Sequence, residues 1–398
     1  MAFLAWMALS AAVALGASVV TPQPAELQSV REWAASKLNS VAKAPFSFKY
    51  DGHPSTEVIG KWVSSTSTRS LDPMRTQRTV TYRDPVSGLE VRCVSVQYTN
   101  FPVVEWTLYL KNTGAADTPI IEDVQALNAS FPQTGMGEFT LHHSTGSPCR
   151  ADDFQPLQTA LTAGSTKRIS ALGGRPSNSD LPYFNIQWGD GGVVLAVGWP
   201  GQWSALFSRV DAESVAVTAG QELTRFKLHP GEEVRTPLIA LLAYKGDWIR
   251  GQNIWRRWMV AHNLPRPSGK LISTHFGSCW GNIQPRASEE MEQIDGWVRE
   301  GIKLDYWFLD AGWYPNKGNW VHTGDWSPDT ERFPRGVREL SDQAHAKGMK
   351  LVTWFEPERV TPGTWLWDKH PEWLLKSPDD SANTPQLGKV ESRLLNLG

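Results

Sequence analysis

The chain has 398 residues, 40% hydrophobic and 20% charged, with a formal net charge of -2 and an isoelectric point near 6.5. This is ordinary globular composition, long enough for two or three domains with full cores, and with no basic run it excludes nucleic acid as a partner. Three cysteines without metal-ligand spacing are too few for a disulfide scaffold.

Met1 to Val20 is an uncharged run rich in Ala, Leu and Val. It reads as a signal peptide with a small-residue cleavage point near Ala17, and it is almost long enough for a membrane anchor. The expected location is therefore secreted or periplasmic, with no membrane association beyond that N-terminal signal or anchor. In such a compartment Cys93 and Cys149 are candidates to pair, whereas Cys279 reads as a small buried apolar residue. Residues 21–44 read as a linker carrying a short helix over 25–38.

From Pro45 to Tyr244 the pattern is β. Val91 to Val96 and Val104 to Leu110 alternate cleanly, and Gly or Pro punctuates every ten or so residues. Asn185 to Trp199, turning at Gly189-Asp190-Gly191-Gly192, reads as a hairpin. A long run in this style predicts a large antiparallel β-sandwich over 45–265, closed by a linker helix over 247–262. Asp247 caps that helix, and Ile254, Trp255, Trp258 and Met259 form its apolar stripe. Asn263-Leu264-Pro265-Arg266-Pro267 ends it, so the next domain, 268–398, starts just beyond.

There the grammar changes. Ser273 to Trp280 is a first strand candidate. A helix over Ser288 to Glu300 follows, with Ser288 as N-cap, Glu289 and Glu290 in the first turn, and Met291, Ile294 and Trp297/Val298 inward. Lys303-Leu304-Asp305-Tyr306-Trp307-Phe308-Leu309-Asp310 is an apolar strand closed by a carboxylate. It echoes downstream, where a helix over Val337 to Lys347 leads into Lys350-Leu351-Val352-Thr353-Trp354-Phe355. In both copies a glycine separates helix from strand. Repeated helix-Gly-strand units predict a parallel sheet whose reacting groups collect at the carboxyl ends of its strands. Those ends carry Trp280, Asp310 and Trp354, then Glu356 and Glu358. Aromatic faces and carboxylates at one rim suit a sugar: rings offer an apolar platform, and carboxylates accept hydroxyl hydrogen bonds or do acid/base work. Of the twenty tryptophans, most are expected in cores and a minority against a ligand. Spacing alone leaves two readings open for Asp310, Glu356 and Glu358: a catalytic pair, or structural hydrogen bonds.

Residues 305–375 resemble the α-galactosidases of glycoside hydrolase family 36. The resemblance rests on Trp307-Phe308-Leu309-Asp310-Ala311-Gly312-Trp313, Gly324-Asp325-Trp326, Phe333-Pro334-Arg335-Gly336, Trp354-Phe355-Glu356-Pro357-Glu358-Arg359-Val360 and His370-Pro371-Glu372-Trp373-Leu374-Leu375. In the β-rich part only Gly173-Gly174-Arg175-Pro176-Ser177 and Pro182-Tyr183-Phe184 are similar at motif level. The resemblance implies a multidomain protein, an all-β sandwich followed by a (β/α)8 TIM-type barrel present only as its first half. It implies retaining hydrolysis of terminal α-galactosyl groups, a carbohydrate substrate, and no metal or cofactor; a homo-oligomer is compatible with it. It places Trp280 and Trp354 around the sugar subsite, Asp310 as the first of two adjacent hydroxyl-holding aspartates, Arg393 as a site arginine, and Asp325 and Trp326 on a nearby rim loop. Two departures stand out. Ala311 replaces the second aspartate, so a related α-glycosidase such as an α-N-acetylgalactosaminidase is the alternative. The nucleophile and acid/base are expected beyond Gly398, so no catalytic residue is assigned within the chain. A non-catalytic carbohydrate-binding protein is the third reading. A half barrel is also expected to leave Trp307, Phe308 and Phe355 partly exposed.

Overall fold

The computed structural model describes residues 19–39, 43–133, 138–209, 211–375 and 391–397. The run before Val19, with the candidate cleavage point near Ala17, lies outside them. No helix among the described residues is long and apolar enough to cross a membrane. The chain divides between Leu264 and Pro265 into two compact units.

The first unit is a large antiparallel sandwich. Its main sheet has ten strands, and Gly191–Gly198, Leu238–Lys245, Val103–Asn112 and Leu89–Tyr98 run through its middle in that order. Tyr183–Trp188 and Gly191–Gly198 form the expected hairpin, with Trp188 opposite Gly191. A four-stranded sheet, Thr166–Ser170, Trp203–Ser208, Ser214–Gln221 and Leu127–Pro132, supplies the facing layer. One continuous core joins them, because every second residue points inward: Val91, Trp106 and Leu108 from one sheet, Ala205, Phe207 and Val217 from the other.

Helix Pro24–Leu38 belongs to this core. Val30, Ala34 and Leu38 are buried in it, and Trp33 lies against Trp106 at 5.5 Å between ring centroids. Its buried Glu26 accepts from Gln23 N at 2.6 Å, Arg250 Nη1 at 2.6 Å and Lys245 N at 2.8 Å, tying the helix to the last strand and to helix Trp248–Trp258. That second helix starts as read: Asp247 accepts from Arg250 N at 2.8 Å, and Ile254, Trp255 and Trp258 are buried. It ends in a π-helical turn, Met259–Asn263.

Cys93 is buried in strand Leu89–Tyr98 and Cys149 is exposed, and both are free thiols. The pairing considered from sequence is therefore not made. Burial pushes the Cys93 thiol up to about 12, so it behaves as an apolar residue.

The second unit is α/β and does not close among the described residues, as in a partial TIM-type barrel. Gly277–Ser278, Tyr306–Leu309 and Lys350–Thr353 form a parallel sheet in that order, linked by helices Ala287–Arg299 and Arg338–Ala346. The first strand is much shorter than Ser273 to Trp280, since it pairs on one side only and most residues before Gly277 are exposed. With its strand ending at Ser278, Cys279 is exposed rather than buried. The first helix begins at Ala287, not after Ser288, because Ala287 N–H already finds a partner in the Arg332 carbonyl at 3.0 Å. Of its inward set, Ile294 is buried and Met291 and Trp297 pack on the core, but Val298 is exposed. Trp307, expected among the exposed rings, is wholly buried together with Leu309, since both pack in the core shared with the helices. Phe308 is half-buried and Phe355 is 54% exposed.

Candidate active site

The parallel register brings the strand ends level. Leu309 pairs with Thr353, and Trp354 N donates to the Leu309 carbonyl at 2.9 Å, so Asp310 and Trp354 leave adjacent strands at the same edge. Trp280 follows the neighbouring strand and is 40% exposed. Asp310 Oδ1 accepts from Ala311 N at 2.7 Å, which fixes the carboxylate against its own turn.

The turn after Asp310 is built for close packing. Gly312 has φ +102, and a Cβ there would lie 2.4 Å from the Ile283 carbonyl oxygen, so only glycine fits. Asn316 Nδ2 donates to that same carbonyl at 3.0 Å. Buried Arg332 gathers the loop: Nη1 donates to the Gly312 carbonyl at 2.6 Å and to Pro285 at 3.0 Å, and Nη2 to Tyr314 at 2.8 Å. One guanidinium thereby satisfies three carbonyls that no strand ladder reaches.

Aromatic rings collect around this loop. Trp354 lies 6.0 Å from Trp326 and 6.3 Å from Tyr314, the latter nearly parallel at 22°. Trp313 donates its indole N–H to the Trp354 carbonyl at 3.0 Å, and Tyr314 donates its hydroxyl to the Trp320 carbonyl at 2.5 Å. Trp354 and Trp326 stay half-buried, which leaves ring surface for a ligand. Trp280, Asp310, Trp354 and Trp326 thus belong to one edge of the sheet and the loops behind it.

Asp325 and Arg393 make side-chain ties of their own within the unit. Asp325 Oδ1 accepts from Trp365 N at 2.7 Å, serving the first turn of helix Trp365–Lys369. Arg393 sits in the short strand Arg393–Leu394, paired with Arg359–Val360, and its guanidinium lies 4.9 Å from the centre of the Trp367 ring. Glu356 forms an ion pair with Arg359, and Glu358 is exposed.

A melibiase family model matches residues 289–392. α-Galactosidase 1 of Pediococcus pentosaceus is 30% identical over 320 residues, covering 76% of this chain and 42% of that protein. α-Galactosidase 2 of the same organism is 24% identical over 308 residues, covering 74% and 41%. The chain is homologous to the family 36 α-galactosidases. Its fold is likewise similar to that of the family 36 α-galactosidase AgaA of Geobacillus stearothermophilus, with a TM-score of 0.70 at 16% identity over 88% of this chain and 50% of that one. The family 36 homologue described here therefore spans about two fifths of the length of these curated relatives.

One chemically unusual residue of this family 36 homologue escapes the sequence reading. Glu290, a first-turn acid by position, is 1% exposed and lies on the buried face of its helix. Its Oε2 accepts from the Trp307 indole N–H at 2.7 Å, while Oε1 has no partner among the described residues. Burial pushes its carboxyl up to about 7, the Trp307 bond opposes the rise, and the charges of Glu289 and Asp310 add to it. The signal was in the spacing: Glu290, Ile294 and Trp297 share one helical stripe, so a carboxylate stood among inward positions.

Proposed function

We propose that this family 36 homologue recognises terminal α-linked galactosyl groups as the sugar-binding part of a retaining α-galactosidase. One juxtaposition carries the reading: Asp310 and Trp354 leave hydrogen-bonded neighbouring strands at the same edge, a carboxylate beside a half-buried indole. A sugar stacks its C–H face on the indole, gaining apolar burial, while its hydroxyls donate to the carboxylate. Asp310 is already oriented by the Ala311 N–H and retains acceptor sites for hydroxyls. In this reading Asp310 binds and does not react, Glu356 is held by Arg359, and neither belongs to the reacting carboxyl pair. No metal or cofactor is called for.

Ala311 supports a second reading. A methyl group where the resemblance implies a carboxylate removes one hydroxyl acceptor, which suits a sugar modified at that position, such as an α-N-acetylgalactosaminide.

Calorimetric titration with melibiose and with the 4-nitrophenyl α-glycosides of galactose and N-acetylgalactosamine tests both readings. The expected result is saturable binding that Trp354→Ala weakens by about tenfold or more while the fold is retained. Failure of all three ligands to bind, or a Trp354→Ala chain with unchanged affinity and lost thermal stability, would overturn the proposal.

A further inference from the structure

We propose that the N-terminal sandwich carries a saccharide site of its own, in a cavity beside helix Trp248–Trp258 that binds a neutral mono- or disaccharide. The cavity measures about 530 Å³, within the range of small-molecule sites, and every residue lining it belongs to the first unit. It follows from the way the sheet is covered. Phe139, Leu141, Phe184 and Ile186 point into the sandwich core, which sends His142, Tyr183 and Asn185 to the opposite face. The helix covers that face over Val194, Ala196, Ala240 and Leu242. Toward the edge strand Pro156–Leu161 the space between helix and sheet remains open.

The chemistry of the lining selects the ligand. Among the described residues no Asp, Glu, Lys or Arg lines the cavity, so a charged ligand would be desolvated without a counter-charge. A purely apolar ligand fits no better, because His142, Asn185, Gln158 and Gln252 present polar groups there. Asn185 is part of the frame, accepting from Tyr244 Oη at 2.6 Å and donating to the Trp248 carbonyl at 3.2 Å. His142 stacks on Trp248 at 4.4 Å and 17°, with Nε2 3.0 Å from Gln187 Oε1. Against a carbonyl oxygen Nε2 is the donor, which leaves Nδ1 as an acceptor. Burial depresses the His142 pKa and keeps the ring neutral. That Nδ1 is buried and has no partner among the described residues. As an acceptor on a residue that lines the cavity, it calls for an O–H donor. Tyr183, 39% exposed and braced edge-on by Trp255 at 6.1 Å, offers the flat face for a sugar ring. A neutral polyol with one apolar face meets all of these requirements together.

The test is calorimetric titration of the full chain with melibiose, maltose and cellobiose, and with digalacturonate as the anionic counterpart. At least one neutral disaccharide is expected to bind with an affinity that Trp354→Ala leaves unchanged. Tyr183→Ala, at a half-exposed position, should weaken that binding by about tenfold. His142→Phe keeps the ring and its stacking but removes both nitrogens, and should weaken it by a similar factor while the fold is retained, the lost Gln187 hydrogen bond lowering the melting temperature only slightly. Digalacturonate should not bind at this site. The inference fails if no neutral disaccharide binds at up to about 50 mM, the weak end of useful affinity. It fails equally if Trp354→Ala abolishes all binding while Tyr183→Ala and His142→Phe retain it, since the sugar would then sit at the strand ends of the second unit. Digalacturonate binding that Tyr183→Ala weakens would overturn the assignment of a neutral ligand.

Discussion

The two units spend their tryptophans differently. In the sandwich, strand residues Trp106 and Trp203 are less than 2% exposed. Trp106 donates its indole N–H to the Ala126 carbonyl at 2.9 Å, and Trp203 to Pro176 at 2.6 Å, so these rings are enclosed and their polar tips satisfied. In the second unit Trp307 behaves the same way, but Trp354 and Trp326 are half-buried and Trp280 is 40% exposed. The residue type is constant and the position on the strand changes. A ring within a covered strand is core, and a ring just past the carboxyl end of a parallel strand is surface that a ligand can use.

The largest effect that sharpens this contrast is on stability. Trp106→Ala removes a fully enclosed ring and strands the Ala126 carbonyl, and is expected to cost about 3 to 5 kcal/mol. Trp280→Ala should cost less than about 1 kcal/mol, because the ring is already in partial contact with water. Urea denaturation followed by circular dichroism compares the two. Equal losses would mean that Trp280 is core and that the contrast is false.

The next effect lies inside the second unit. Glu290 has a folded pKa of about 7 against an ordinary value of 4.5. Between those values the unfolded chain releases its proton first, so the folded state loses stability as pH rises from about 4.5 and levels off above about 7. Glu290→Gln keeps an acceptor for the Trp307 indole and removes the ionisation. The variant should match the parent near pH 4 and exceed it at pH 8 by on the order of 3 kcal/mol. Melting curves across that range decide the matter; a parent that gains stability on Glu290→Gln at pH 4 as much as at pH 8 would show that the carboxyl does not titrate as described.

Most of the sandwich was legible because alternation is a local signal: Val103–Asn112 and the hairpin after Tyr183 needed no knowledge of their partners. The order of the second unit was legible from its repeated helix-Gly-strand spacing. What spacing did not reveal was the length of the first strand, Gly277–Ser278, which depends on having a neighbour on each side. Nor did it reveal Arg332, whose three carbonyl partners come from segments 18 to 47 residues away. The strand-end group of Trp280, Asp310 and Trp354 followed from chain pattern, whereas the side-chain ties of Asp325 to Trp365 and of Arg393 to Trp367 are tertiary facts. The cavity at His142 was hidden because it arises from what a helix fails to cover.

At the strand ends, Asp310→Asn tests binding without altering shape. An amide replaces charge-assisted hydrogen bonds worth about 1.5 to 3 kcal/mol with neutral ones and offers a donor where hydroxyls need an acceptor. Melibiose affinity measured by calorimetry should fall by roughly tenfold or more. An Asp310→Asn chain with undiminished affinity would move the sugar away from this edge and leave Trp354 as packing alone.

The smallest effect is the most specific. Ala311 follows Asp310, its N–H bonded to the Asp310 carboxylate, and its side chain is half-buried at the same edge. Ala311→Asp adds an acceptor for a second hydroxyl, but it also sets two carboxylates on adjacent residues. Their repulsion offsets part of the roughly 1.5 to 3 kcal/mol that a charge-assisted hydrogen bond supplies, leaving a net gain of about 1 kcal/mol, roughly fivefold. That gain should appear for a plain α-galactoside and not for an α-N-acetylgalactosaminide, whose acetamido group would meet the new carboxylate instead of a hydroxyl. Raising the ionic strength weakens the repulsion between the exposed parts of the two carboxylates and should widen the preference slightly. The quantity to measure is the ratio of the two affinities in parent and variant. A ratio that stays the same would mean that position 311 does not read the sugar, and that the departure from the family at this residue has no bearing on which glycoside binds.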